Sequence, residues 1–142
     1  MIHITNLVLI ILQLTIALGL LNVWLVRFNK KTKYRGANAQ NMKEEFAAYG
    51  LPVWFMYLVG TLKIVTAISL VTVVIVPSYA LYIGIPALCV LSVLMLGAIS
   101  MHLKIRDGLI KTMPAIAMLL LTIITLILHI GSQIENIKSI LI

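Results

Sequence analysis

Long apolar stretches without a charged side chain alternate with short charged segments along this chain. Asp, Glu, Lys and Arg are absent from Ile4–Val26, Ile64–Leu103 and Thr112–Ile134. A helix needs about 20 apolar residues to cross a bilayer, so the first and third stretches hold one crossing each. The middle stretch is too long for one crossing and contains the turn signal Pro77-Ser78. The pattern predicts four membrane-spanning helices at about residues 5–26, 52–76, 79–103 and 113–132.

The segment between the first two spans has a helical signal of its own. Asn41 followed by Glu44 is typical of a helix start, and Gly50 is a suitable helix stop. We therefore predict a short interfacial helix that leads into the second span. The fold class that follows is all-α, a polytopic four-helix transmembrane bundle, because backbone polar groups in hydrocarbon must bond within their own segment.

Composition agrees with a membrane protein and with one domain over residues 1–142. Hydrophobic residues make up 62% of the chain and the mean hydropathy is +1.12, whereas a soluble domain is about half apolar. The first span lacks the basic start and the cleavage site of a signal peptide. Cys89 is the single cysteine, so the chain contains no disulfide and no paired redox cysteines.

The net charge of +7 arises largely from two loops that lie on the same side of a four-span chain. The positive-inside rule predicts that both loops are cytoplasmic and that both termini lie outside, in the inner (cytoplasmic) membrane of the cell. The loops are expected to contact anionic lipid headgroups, and nucleic acid is not the expected partner. Their basic residues are Arg27, Lys30, Lys31, Lys33, Arg35 and Lys43 in one loop and Lys104, Arg106 and Lys111 in the other.

Lys63 is the one charged side chain inside a predicted span, and no acidic residue of the spans is available to pair with it. A charge at the bilayer centre costs about 2.5–3.5 kcal/mol or more, so such residues usually face the bundle interior and mark a site. Gly60, Lys63 and Ala67 share one helix face. The alternatives are a ligand-binding or proton-carrying amine, a structural donor to nearby hydroxyls, and an amine that reaches the headgroups.

Hydroxyls of the other spans are predicted at the depth of Lys63. They are Thr15, Ser92 and Thr122, and with Lys63 and Gly60 they form a candidate ligand-binding layer. The competing interpretation is that each hydroxyl bonds a carbonyl of its own helix. Small and polar residues suggest the inward faces of the helices: Thr15, Gly19 and Asn22 in the first span, Met95, Ala98 and His102 or Cys89 and Ser92 in the third, and Ala115, Met118, Thr122, Thr125, His129 and Ser132 in the fourth.

His102 and His129 are secondary site candidates. They lie near opposite ends of their spans, so a shared metal site and a bis-histidine haem are both disfavoured. His102 is interpreted as an interfacial hydrogen-bonding residue. Cys89, expected to be buried in apolar surroundings, is interpreted as inert. No catalytic constellation is evident, so the sequence leaves open whether the chain is an enzyme.

Several short motifs, taken in their order and spacing, resemble the DoxX-like family of small four-helix membrane proteins. They are Phe46-Ala-Ala-Tyr-Gly-Leu-Pro-Val-Trp54, Val59-Gly-Thr-Leu-Lys-Ile64, Gly97-Ala-Ile-Ser-Met-His-Leu103 with the following Lys-Ile-Arg-Asp107, and Pro114-Ala115. The resemblance implies a link to quinone-coupled redox systems. Many members carry a glutamate where this chain has Lys63, so the resemblance does not transfer a carboxylate-based mechanism.

Three functions remain open from the sequence. The first is an accessory or ligand-binding subunit of a membrane redox system, with a quinone as the candidate cofactor and a membrane redox protein as the candidate partner. The second is a non-enzymatic assembly protein. The third is a small-solute or proton transporter, for which a homo-oligomer would enclose the path.

Overall fold

The computed structural model describes residues 2–141 and the side chains of residues 4–141, and every regular element in this part of the chain is helical. Helix α1 spans Ile2–Leu21 and continues as a π-helical turn, Asn22–Val26. Helix α2 spans Met42–Ala48 and α3 spans Val53–Ile75. A 3₁₀ turn, Pro77–Tyr79, and a π-helical turn, Ala80–Gly84, precede α4, Ile85–Lys104, and α5 spans Leu109–Leu141.

The four long helices form a closed ring. Helix α1 packs on α3 and α5, α3 packs on α4, and α4 packs on α5. Four helices of this length and apolarity are sufficient to cross a membrane, so the predicted fold class is confirmed. The ends of α1 and α4 and the starts of α3 and α5 meet at one end, which we call the basic end.

The predicted short helix before the second span is also confirmed. The Asn41 side chain caps α2 by accepting from the Glu44 N–H at 2.9 Å. Gly50 ends it with a φ of +77°, a conformation that costs glycine little. The N–H groups of Gly50 and Leu51 bond the carbonyls of Ala47 and Phe46, each at 3.0 Å, and so satisfy the last turn.

The interior of the bundle is apolar at mid-height. Its core consists of Ile16, Ala17, Leu20, Ala67, Leu70, Leu88, Leu91 and Met95. A second cluster near the basic end joins the π-helical turn, α2 and α3 through Trp24, Met42, Phe46, Met56 and Val59. Helix α2 is therefore packed against the bundle and is not a free surface helix.

Helix α5, Leu109–Leu141, extends beyond both ends of the predicted fourth span at about residues 113–132, and the bounds of that span stay a prediction. Two sequence-based expectations are corrected here. In α1 two of the three residues predicted to face inward, Thr15 and Asn22, are exposed. Gly19 does face α5, since a Cβ there would lie 2.9 Å from Met118 Cε. The apolar side chains of Ile16 and Leu20 fill most of that side of the bundle. Cys89 faces outward rather than inward.

The inward face of α5 was correctly predicted. Thr122 and Thr125 are fully buried, and Ala115 and His129 are almost so. His129 Nε2 forms a hydrogen bond with Nε2 of Gln13, which is itself 2% exposed. This contact joins α1 and α5 on the side away from the basic end.

Leu70→Ala should destabilise the bundle by about 2 kcal/mol, because a fully buried leucine is replaced by a cavity. Ile68 is on the same helix and is 58% exposed, so Ile68→Ala is the matched control and should have little effect. Unfolding by a denaturing detergent, followed by circular dichroism, measures the difference. Equal effects of the two variants would contradict the packing described here.

Candidate functional site

A cavity of about 430 Å³ lies between the helices and extends from Lys63 to the basic end. All four long helices, α2 and the segment between α1 and α2 contribute to its wall. Most of the lining is apolar and includes Leu20, Phe55, Val59, Leu94, Met95 and Met118. A mostly apolar cavity of about 300–1,000 Å³ with few polar groups is typical of a small-molecule site.

Lys63 lies in the cavity wall and is half-buried. Its Nζ is 5.3 Å from the centroid of the Trp24 ring, a cation–π distance. Among residues 4–141 no carboxylate is within salt-bridge distance of this amine. Glu45, in the same wall, is close enough to act on it electrostatically. Lys63 therefore faces the interior without a direct anionic partner.

Trp24 lies beside Lys63 in the cavity wall and carries a donor without an acceptor among the described residues. It sits in the π-helical turn after α1, is 6% exposed, and packs against Phe28 and Phe46 with ring centroids 6.2 Å and 6.1 Å away. Its indole Nε1–H is buried and finds no hydrogen-bond acceptor among the described residues. Buried donors are normally paired, so this unpaired N–H is unusual.

Gly60 makes room for the Trp24 ring. A Cβ at this position would lie 2.5 Å from Trp24 Cζ3 and 2.6 Å from Cε3, which is closer than non-bonded carbon atoms approach. Gly60 was predicted as a ligand contact. The structure shows it seating Trp24, while its direct contact with a ligand stays a prediction.

A buried ion pair closes the cavity at the basic end. Arg35 Nη1 donates to Glu45 Oε2 at 2.7 Å, and both side chains are at most 10% exposed. Glu45 Oε1 accepts from the Gly36 N–H at 2.7 Å and from the Tyr49 hydroxyl at 3.1 Å. The guanidinium also bonds the carbonyls of Arg27 and Phe28. This pair ties the segment after α1 to α2.

A second buried pair lies beside the first. His102 Nδ1 is 2.7 Å from Asp107 Oδ2, and Asp107 Oδ1 accepts from the Ala37 N–H at 3.1 Å and from Lys111 Nζ at 3.3 Å. Burial opposes ionisation of Asp107, but these hydrogen bonds outweigh it and hold the pKa of this carboxyl below its usual value. Asp107 is thus an anion that joins α4, α5 and the loop at Ala37.

Tyr49 links the two pairs. Its hydroxyl is 3.1 Å from Glu45 Oε1 and 3.4 Å from His102 Nε2. Burial, followed by the negative charge of Glu45 and the hydrogen bond to it, raises the pKa of the Tyr49 phenol well above its usual value. The phenol therefore remains protonated, and it can donate to either neighbour.

The predicted hydroxyl layer is not assembled around Lys63. Thr15 is exposed and bonds the Ile11 carbonyl at 2.7 Å. Ser92 bonds the Leu88 carbonyl at 2.9 Å, and Thr122 bonds that of Met118 at 2.7 Å. None of the three hydroxyl residues belongs to the cavity lining. Of the secondary candidates, His102 lines the cavity, whereas His129 is engaged with Gln13 outside it.

Sequence reasoning missed the residues that surround Lys63 and the buried pairs. Trp24 was not among the candidate residues, and the basic residues of the loops were expected to contact lipid headgroups. The signal for Glu45 and Tyr49 was present in their helical i, i+4 spacing. The pairing of Arg35, Asp107 and Gln13 could be found only from the tertiary fold, because their partners are distant in sequence or lie on other elements.

Residues 11–125 match the model of the DoxX-like family. The chain belongs to the DoxX-like family. The matched range includes Trp24, Lys63 and both buried pairs but ends before His129, so the cavity belongs to the family-related part of this DoxX-like protein. Comparison with curated proteins and with solved structures gives no match.

Gly60→Ala should displace the Trp24 ring, because the added methyl group overlaps it. With Trp54→Phe as background, Trp24 is the remaining tryptophan, and quenching of its fluorescence by acrylamide reports its exposure. We expect a clear rise in quenching. Gly97→Ala is the control, since its Cβ would meet nothing within 4 Å. Equal quenching in the two variants would contradict the assigned role of Gly60.

Asp107→Asn should remove a pH-dependent part of the stability. Because the pKa of Asp107 is lower in the folded protein than its usual value, the stabilisation is complete above about pH 4 and is lost as the pH falls through the folded-state pKa. The variant should have a lower melting temperature than the parent protein at pH 7. Its melting temperature should also change less as the pH is lowered.

Thermal unfolding in lipid nanodiscs between about pH 3 and pH 7 measures this dependence. Glu135→Gln removes an exposed carboxyl from the other end of α5 and serves as the control. If both variants melt like the parent protein at pH 7, Asp107 does not hold the loops together.

Proposed function

We propose that this DoxX-like protein binds a lipophilic molecule that carries hydrogen-bond acceptor oxygens, of the quinone class, in the cavity beside Lys63 and Trp24. It would serve as a ligand-binding accessory subunit of a quinone-linked membrane redox system. The single observation that carries the proposal is that Lys63 and Trp24 line one mainly apolar cavity, Lys63 without an anionic partner and Trp24 with a buried Nε1–H that has no acceptor among the described residues.

The donor chemistry favours a carbonyl group. An ammonium and an indole N–H both donate, and neither accepts. A ligand with two acceptor oxygens on a flat apolar ring would satisfy both donors and fill the apolar remainder of the cavity. A molecule without acceptors would leave both donors unpaired, and an unsatisfied buried donor costs about 1–3 kcal/mol.

The cavity's surroundings favour a ligand from the membrane. The chain is a multi-pass membrane protein, and a smaller cavity of about 260 Å³ lies beside the first, lined by Trp24, Phe28, Tyr57, Gly60, Thr61 and Ile64. Tyr57 and Thr61 are exposed on the outer surface of α3. Trp24 lines both cavities, so an apolar tail could pass beside it toward the lipid.

The exposed basic residues support an orientation as well. Lys30, Lys31 and Lys33 are all exposed at the basic end. We propose that this end is cytoplasmic and contacts anionic headgroups, as positively charged loops generally do. A role in protein assembly is the second candidate function. The same exposed charges support it, because they form a surface that a protein partner can contact.

Lys63→Leu should reduce ligand retention at least tenfold, since a hydrogen bond to a charged donor contributes about 1.5–3 kcal/mol. Trp24→Phe keeps an aromatic ring, removes the N–H and should reduce retention by less. The measurement is mass spectrometry of protein extracted with its native lipid and without detergent. Lys138→Leu removes an exposed charge near the end of α5 and should retain the ligand.

A stoichiometric lipophilic ligand in the parent protein and its loss from Lys63→Leu would support the proposal. A parent protein without such a ligand, or equal retention in Lys63→Leu and Lys138→Leu, would defeat it and favour the assembly role.

A further inference from the structure

We propose that Asp107, His102, Tyr49 and Glu45 form a proton path between the basic end of the bundle and the ligand cavity. Three of them, Glu45, Tyr49 and His102, line the cavity, whereas Asp107 lies behind His102 and bonds Lys111. The path rests on the proposed function only in that the cavity is the proposed ligand site. Its hydrogen bonds do not depend on the identity of the ligand.

Continuity is the first argument. Consecutive distances along the path are 2.7 Å from Asp107 to His102, 3.4 Å from His102 to Tyr49, and 3.1 Å from Tyr49 to Glu45. His102 is 7%, Tyr49 6% and Glu45 8% exposed, so bulk water has little access to these groups. Each member can hold or release a proton through a different atom.

Counting protons gives the second argument. Tyr49 has one O–H and two acceptors within reach, Glu45 Oε1 and His102 Nε2. When His102 is neutral with its proton on Nδ1 toward Asp107, the hydroxyl can satisfy only one of them. When His102 is charged, Nε2–H donates to the Tyr49 oxygen, the Tyr49 O–H donates to Glu45, and every group is paired. The network therefore accommodates an extra proton without rearrangement.

The transfer moves one proton and conserves the rest. The His102 Nε2–H bond breaks as an O–H bond forms on Tyr49. The original Tyr49 O–H bond breaks as one forms on Glu45 Oε1. His102, still protonated on Nδ1, is then neutral and Glu45 is protonated, and Glu45 passes its proton to an acceptor atom in the cavity. The Tyr49 hydroxyl rotates back toward Glu45, and the His102 ring reorients so that its remaining proton faces Tyr49. Its bare nitrogen then takes up a proton from the basic end through Asp107, which restores the first state.

Charges around the path stabilise the state in which His102 is positively charged. The anion of Asp107 faces the imidazole, and the raised pKa of Tyr49 keeps its phenol protonated between transfers. The charged groups that face the path are Arg35 from the segment before α2, Lys63 from α3, Lys104 from the end of α4 and Lys111 from α5. Lys104 Nζ bonds the Tyr49 carbonyl at 2.9 Å.

A proton reporter inside the cavity tests the path without any ligand. Ala98 lines the cavity one turn of α4 before His102. With Cys89→Ser as background, Ala98→Cys can be labelled with a thiol-reactive nitrophenol, whose absorbance changes on protonation. The labelled protein in lipid nanodiscs is mixed rapidly with buffer of lower pH, and the rate of protonation is recorded.

Tyr49→Phe, added to the reporter protein, should slow protonation about tenfold or more, because it keeps the ring and removes the O–H. Tyr82→Phe, which removes a phenol that is 77% exposed, should leave the rate unchanged. His102→Ala should also slow protonation, and added imidazole should restore it, which a purely structural role of His102 would not allow.

An unchanged rate in Tyr49→Phe would overturn the path, since protons would then reach the cavity by another route. Slow protonation of His102→Ala that imidazole does not restore would overturn it too. Neither result bears on ligand retention in Lys63→Leu, so the path and the proposed function fail separately.

Discussion

A hydrogen-bond donor enclosed among transmembrane helices has no water to bond and must find its acceptor in the protein or in a ligand. The buried polar side chains near the basic end largely obey this constraint. Arg35, Glu45, Tyr49, His102 and Asp107 are all paired with one another or with the backbone. Within the described part of the chain, Trp24 Nε1–H has no acceptor, and Lys63 Nζ has the Trp24 ring but no anion beside it. The functional interpretation depends on that contrast.

The fold explains why the contrast is confined to one place. At mid-height the ring of four helices is filled mainly with apolar side chains, of which Leu20 and Met95 also line the cavity. Toward the basic end Trp24, in the π-helical turn, packs inward, Gly60 leaves room for its ring, and α2 packs across the opening. π-helical turns often occur at functional sites. The cavity is thus formed between the core and the two buried pairs.

The sequence was sufficient for the fold and for part of the site. Apolar length and the turn at Pro77 located the four spans, and the Asn41 cap located α2. The site depended on information that periodicity lacks. Small and polar residues marked the inward face of α5, whereas in α1 Thr15 and Asn22 point outward and Ile16 and Leu20 fill the core. Trp24 follows Ile16 and Leu20 at four-residue steps on the same buried face, and the choice of that face required the tertiary packing.

The central claim is that the acceptor for Lys63 and Trp24 comes from a bound molecule. The most direct test is a cryo-electron microscopy map of the protein in its native lipid, sharp enough to show side chains and any non-protein density in the cavity. We predict density within hydrogen-bond distance of both Lys63 Nζ and Trp24 Nε1, at about 2.7–3.2 Å. An empty cavity, with Lys63 turned to the lipid or with Trp24 bonded to a protein carbonyl, would contradict the claim.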